Sequence, residues 1–252
     1  MSLLHIENLQ VNIPTAKGMV HPVRKVSLQL QQGEMLALVG ESGSGKSITA
    51  QAIMGLLPDN AVVSGKTLQF ERKKIAMIFQ NPMATFNPVL TIGYQIAEPL
   101  RVLHGYSKKA AEAEAIQLLE RMQIRDAAQK MRHYAHEFSG GMLQRAAIAM
   151  ALACKPQLLI ADEPTTALDV STQAEVMQLL AELRREKNLG ILFITHDLAL
   201  VAQQAARVAV MYRGEIVETG ITHTVLAQPQ HVYTKALLAA LPVALTKHGI
   251  SQ

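Results

Sequence analysis

Gly40-Glu41-Ser42-Gly43-Ser44-Gly45-Lys46-Ser47 is the stretch whose reading decides the fold. It matches the phosphate-loop pattern G-x-x-x-x-G-K-[ST]. Glycines let the backbone curl so that successive N–H groups point at phosphate oxygens. In that pattern Lys46 reaches the β- and γ-phosphates and the Ser47 hydroxyl ligates Mg²⁺. The flanks agree. Met35-Leu36-Ala37-Leu38-Val39 is an unbroken apolar run, as expected of a strand buried on both faces of a parallel sheet. Ile48 to Leu57 reads as a helix whose positive N-terminal end faces the anion.

Composition bounds the rest. At 252 residues the chain has room for one large α/β domain with an appended subdomain. A net charge of +4 is modest, and the basic residues are dispersed apart from pairs such as Lys73-Lys74 and Arg184-Arg185, so no nucleic-acid stripe stands out. A single cysteine, Cys154, excludes an internal disulfide and suits a reducing compartment. Met-Ser-Leu-Leu-His-Ile-Glu carries no signal-peptide pattern, and no apolar run approaches the ~18 residues of a membrane span. A role at a membrane therefore needs another chain to hold this one there.

Before the loop, Leu9, Val11 and Ile13 alternate with polar residues, as do Val26, Leu28 and Leu30. Both read as half-buried antiparallel strands, joined by the polar stretch Pro14 to Pro22. A further strand is expected from Lys66 to Phe70. Ile75 to Phe79 is a short apolar strand ending at Gln80, and the prolines and asparagines from Asn81 to Pro88 predict a loop. From Thr91 to about Pro156 the pattern turns helical; Ala115, Leu118, Leu119 and Met122 form one face of an amphipathic helix. Within it, Ser139-Gly140-Gly141 precedes an Ala-rich helix and reads equally as a simple N-cap or as something functional.

Leu158 to Asp162 is a buried strand, and Asp162 at its carboxyl end is placed to hold Mg²⁺. Glu163 beside it repels Asp162 unless a cation is near; there it can deprotonate an attacking water. Val176, Leu179, Leu180 and Leu183 predict another amphipathic helix. A final buried strand, Gly190 to Ile194, ends in Thr195-His196-Asp197, which puts His196 at the carboxyl edge of the sheet.

Taken in order, the phosphate loop, Gln80, Ser139-Gly140-Gly141, Asp162-Glu163, Ala167-Leu168-Asp169 and His196 resemble the ATP-binding subunit of an ABC transporter. The resemblance covers essentially the whole chain. It implies an α/β fold: a P-loop, RecA-like core with a mostly parallel sheet, a flanking antiparallel β-subdomain and an inserted α-helical subdomain. The boundaries expected are 1–87 and 157–228 for the core, 88–156 for the helical part and 229–252 for a tail. It also implies an ATPase using ATP and Mg²⁺, working as a dimer with two nucleotides at the interface. One subunit supplies Gly40 to Ser47, Ile48, Gln80, Asp162, Glu163 and His196; the opposing one supplies Ser139, Gly140 and Gly141, with Asp169 also at the nucleotide. Ser47, Gln80 and Asp162 are the implied metal ligands, and Glu163, Gln80 and His196 the implied catalytic groups.

Gln80-Asn81-Pro82 through Asn87-Pro88, Thr91 to Ile96, Ser139 to Met142 and the tail Pro229 to Leu238 resemble the bacterial peptide/nickel importer group more narrowly. Met142-Leu143-Gln144-Arg145 and the short stretch after the tail are similar to nickel and metal-chelate importers, with di- or oligopeptide import the alternative. The implied partners are two membrane-spanning permease subunits, a second ATPase subunit (a paralogue or an identical copy) and, indirectly, an extracytoplasmic solute-binding protein. The implied location is the cytoplasmic face of the inner membrane. Three departures stand out. Ile13 holds the place of the usual adenine-stacking aromatic, Met142 replaces the usual Gln, and the stretch from Gly65 to Ile75 is short.

Other classes fit less well. A soluble ABC clamp acting in translation or DNA repair usually carries tandem cassettes or a long coiled-coil insertion. A P-loop GTPase lacks its Asn-Lys-x-Asp motif here, and a small-molecule kinase leaves Ser139-Gly140-Gly141 unexplained. The nine histidines are scattered, and His133 with His136 reads as surface or packing. In the docking loop that the resemblance implies between Asn81 and Pro88, Phe86 is the expected apolar anchor for a membrane subunit, or else a core residue.

Overall fold

Leu4, Ile6, Leu9 and Val11 on β1 (Ser2–Thr15) bury their side chains together with Val23, Val26, Leu28 and Leu30 on β2 (Gly18–Gln31). The two strands form one long antiparallel hairpin in which Thr15 faces Gly18, so the chain reverses at Ala16-Lys17 alone. The loop expected across Pro14 to Pro22 is therefore mostly strand: Pro14 pairs with Met19 and Pro22 lies inside β2. The reversal expected within Pro14 to Pro22 is there but takes two residues, and the rest of that polar, largely exposed stretch is strand.

The chain continues through β3 (Met35–Val39), α1 (Lys46–Met54), β4 (Val62–Ser64), β5 (Thr67–Gln69), β6 (Ile75–Ile78), α2 (Pro82–Thr85) and α3 (Ile92–His104). Then follow α4 (Lys108–Arg121), α5 (Ala127–Lys130), a 3₁₀ turn (Ala135–Glu137), α6 (Gly140–Ala153), β7 (Leu158–Asp162) and α7 (Val170–Lys187). The last elements are β8 (Gly190–Thr195), α8 (Leu198–Gln204), β9 (Arg207–Tyr212), β10 (Glu215–Ile221), α9 (Thr222–Ala227) and α10 (Val232–Ala239). The computed structural model describes residues 2–65, 67–69, 71, 74–166 and 168–240, in two compact units: residues 1–72 with 184–252, and residues 73–183. The outer residues of the strand expected at 66–70, Ala167, and the end of the tail lie outside the described residues.

In the first unit β1 pairs with β2 on one side and with β4 and β5 on the other, all antiparallel. β2 meets β10 in parallel, β10 runs antiparallel to β9, and β3 sits between β9 and β8, parallel to both. β3 and β8 are buried along their whole length, which is why their sequences are continuous apolar runs. The α1 helix stops sooner than its apolar pattern, at Met54, because Gly55 takes a left-handed C-cap.

In the second unit β6 and β7 pair in parallel. Helices α3, α4 and α6 pack on one another, and Ala115, Leu118, Leu119 and Met122 are buried as their spacing predicts. The stretch after Gln80 is not wholly loop. Asn81 caps α2 by accepting from the amides of Met83 and Ala84, with Pro82 at the first helical position. Buried Gln95 then organises the residues that follow. Its side-chain oxygen accepts from Asn87 N at 2.7 Å, and its amide donates to the carbonyls of Asn87 and Leu90 at 3.1 and 3.0 Å. Phe86 is only 3% exposed, so it is a core anchor and not an open socket residue.

Candidate nucleotide site

Gly40 to Ser47 connects β3 to α1, the strand-loop-helix context the motif requires. Gly45 has φ +111°, and a Cβ there would run into the Pro22 carbonyl and the Met211 methyl. No side chain caps α1 and no acidic residue stands in its first turn, so the positive end of the helix is presented to an anion. Lys46 is nearly buried, and its Nζ donates to the carbonyls of Gly40 and Glu41, both at 2.8 Å. Ser44 Oγ is buried without a hydrogen-bond partner among the described residues. A buried hydroxyl left unpaired is costly, and a phosphate oxygen would satisfy it.

The register Val39 opposite Thr195 sets His196 level with Gly40 at the carboxyl ends of two adjacent parallel strands. His196 is exposed, and the next residue, Asp197, caps α8 by accepting from Ala199 N and Leu200 N. Open α/β sheets bind ligands at this edge.

In the second unit, Gln80, Asp162 and Glu163 gather at the carboxyl ends of β6 and β7, where Ile78 pairs with Ala161. Asp162 is buried. Glu163 adopts a left-handed φ of +47°, a conformation non-glycine residues seldom take and one that concentrates at functional sites. Its Oε2 accepts from Gln80 Nε2 at 3.0 Å and from Thr166 Oγ1 at 2.9 Å. Thr166 is a partner the sequence reading did not single out.

Ser139 is the N-cap of α6, its Oγ accepting from Met142 N at 3.3 Å, so the local capping reading holds whatever else the residue does. A Cβ on Gly141 would meet Thr172 Cγ2 at 2.7 Å, which explains the second glycine by packing. Thr172 is itself fixed by Asp169, which accepts from its amide at 3.0 Å and from its hydroxyl at 2.7 Å. Those hydrogen bonds hold the Asp169 carboxyl below its usual range. Asp169 is thus tied to the Ser139-Gly140-Gly141 segment through Thr172. Ile13 lies half-buried on β1 opposite Val20, in the hairpin whose Pro22 faces Gly45.

His133 lies 3.5 Å from the Glu137 carboxylate and His136 stacks on Tyr134, as expected of surface and packing residues. Among the described residues no cluster of His, Cys, Asp or Glu has the makings of a metal site, and no helix is long and apolar enough to cross a membrane.

A model of the ABC transporter family matches residues 23–166. The dipeptide transport ATP-binding protein DppD of Haemophilus influenzae is 46% identical across 96% of this chain and 78% of that protein. The Bacillus subtilis DppD is 47% identical across 95% and 77%. The glutathione import ATP-binding protein GsiA of Escherichia coli is 46% identical across 96% of this chain but 42% of its own length. Among solved structures, a dimeric ATP-binding cassette in a post-hydrolysis state with ADP and Pi superposes with a TM-score of 0.74 at 27% identity, covering 87% of this chain and 99% of that one. CbiO1 of Clostridium perfringens, part of an ABC transporter complex, gives 0.73 at 26% identity over 90% and 91%.

Proposed function

Since this chain belongs to the ABC transporter family and is an ABC-type ATPase, we propose that it powers uptake of di- or oligopeptides through partner membrane subunits. The observation that carries this reading is 45–47% identity, along 95–96% of the chain, to dipeptide transport ATP-binding proteins. GsiA points the same way, because glutathione is a tripeptide. The narrower likeness to nickel and metal-chelate importers rested on a few residues around Met142 and on the tail; identity along the chain favours the peptide alternative.

The assembly we propose has two permease subunits, a second ATPase subunit and an extracytoplasmic solute-binding protein, with this chain at the cytoplasmic face of the membrane. The chain acts as one ATPase domain, with 1–87 and 157–228 as core, 88–156 as the helical subdomain and 229–252 as the tail. The phosphate-loop amides, Lys46 and the Ser44 hydroxyl bind the phosphates. Ser47, Gln80 and Asp162 are the oxygen donors that would hold Mg²⁺, which would supply charge neutralisation to the phosphates of ATP. Glu163 takes the proton of the attacking water, its other contacts made by Gln80 and Thr166. His196 donates to the γ-phosphate, and Ser139, Gly140 and Gly141 of the opposing subunit close over it.

Cargo is tested by reconstituting the chain with its membrane and solute-binding partners and titrating peptides, glutathione and nickel. Peptides are expected to stimulate ATP hydrolysis; stimulation by nickel alone overturns the peptide reading.

Adenine is the second point to test. With Ile13 at the base, Ile13→Tyr is expected to tighten ATP binding by about 1 kcal/mol, the scale of a stacking contact. Unchanged affinity in a calorimetric titration removes Ile13 from the base-binding position.

A further inference from the structure

Tyr233, on α10, touches the phosphate loop from 192 residues further along the chain. Its hydroxyl accepts the amide N–H of Glu41 at 2.9 Å. The carbonyl of that same Gly40–Glu41 peptide accepts from Lys46 Nζ at 2.8 Å. One peptide plane is therefore held on both edges, by the phosphate-loop lysine and by the C-terminal tyrosine.

The tyrosine is itself held from several directions. Its ring stacks on Tyr212 with centroids 4.1 Å apart. Tyr212 ends β9, and two residues on, in the turn to β10, Gly214 N donates to the Ser44 carbonyl at 2.8 Å. Glu41 is thus tied to Tyr233, and Ser44 to the turn that follows Tyr212. On β10, Glu218 accepts from the amides of Gln230 and His231 at 2.8 and 3.0 Å, and His231 Nδ1 accepts from Tyr233 N at 3.1 Å. These contacts fix where α10 begins. Burial pushes the Tyr233 phenol above its usual range, so it stays neutral at physiological pH.

We propose that Tyr233 is a positioning residue for ATP binding: it orients the Gly40–Glu41 peptide, and through that peptide the Lys46 side chain, so that the C-terminal helix sets nucleotide affinity. This rests on Gly40–Ser47 being the phosphate loop. Without the hydroxyl, the peptide can rotate and carry its carbonyl away from Lys46. The ammonium then starts from many orientations, and the loss falls on binding, where preorganisation is felt, more than on the chemical step.

The test is Tyr233→Phe in the full chain, which removes the hydroxyl and keeps the ring on Tyr212. The ATP Kd measured by calorimetry is expected to rise by roughly five- to tenfold, the scale of one lost hydrogen bond, with kcat and melting temperature little changed. Tyr233→Leu, which loses the stack as well, is expected to weaken ATP binding at least as much and also to melt lower. Wild-type affinity in Tyr233→Phe overturns the proposal, as does a lowered melting temperature with KM unmoved; the Phe variant decides even if the Leu variant fails to fold. Lys46→Ala measured alongside separates the two assumptions. If Lys46→Ala keeps its ATP affinity, the phosphate-loop reading fails; if it loses ATP while Tyr233→Phe does not, only the role of Tyr233 fails.

Discussion

Glu163→Gln is expected to bind ATP with near wild-type affinity while hydrolysing it about 10²-fold or more slowly, the scale of a lost general base. The substitution preserves length and volume, and the remaining side-chain oxygen can still accept from Gln80 Nε2 and Thr166 Oγ1. What disappears is the negative charge and the basic lone pair. Gln also tolerates the backbone as well as Glu does, so the left-handed φ at this position adds no new strain. With binding intact and turnover blocked, the variant should accumulate as an ATP-bound dimer, visible as a nucleotide-dependent shift in size-exclusion chromatography. Steady-state ATPase close to wild type would remove Glu163 from the role of base and direct attention to His196.

The residues proposed to bind phosphate are legible in the sequence because the chemistry of a phosphate loop is local. A phosphate loop has to place glycines, a lysine and a hydroxyl within a few residues, and the strand before it must be continuously apolar to sit between β8 and β9. Asp162 and His196 are legible by position, each at the end of a buried strand that a continuous apolar run predicts. What sequence could not supply were partners made by topology. Tyr233 meets Glu41 only because β10 returns the chain beside β9, and no local spacing encodes that approach. Thr172 behind Gly141 and Gln95 beneath the Asn87 segment are of the same kind: polar residues whose role is to satisfy or pack against backbone from another element. The Pro14 to Pro22 connection differs for another reason: its prolines and polar residues predict a longer turn than the two-residue reversal the hairpin makes, because an exposed strand end accommodates both.

Phe86→Ala is expected to destabilise the protein by about 3–5 kcal/mol, the range for truncating a buried aromatic. Resemblance alone placed Phe86 in a docking groove for a membrane subunit, but its burial leaves almost no surface for a partner to touch. In sequence it falls between α2, capped by Asn81, and the Asn87 to Leu90 segment held by Gln95, and its burial means that truncation leaves a cavity. For a chain of this size the loss corresponds to a melting temperature lower by roughly 10 °C. Met83 and Val89, 52% and 76% exposed on either side of it, are the apolar residues a partner could reach. Truncating either to Ala is expected to cost the fold under about 0.5 kcal/mol, as surface substitutions usually do. Their effect should appear instead in assembly with the membrane subunits, measured by co-purification. The contrast is what decides the matter. If Phe86→Ala melts like wild type and loses its membrane partners, the side chain is a contact after all, and its burial belongs only to the unassembled chain.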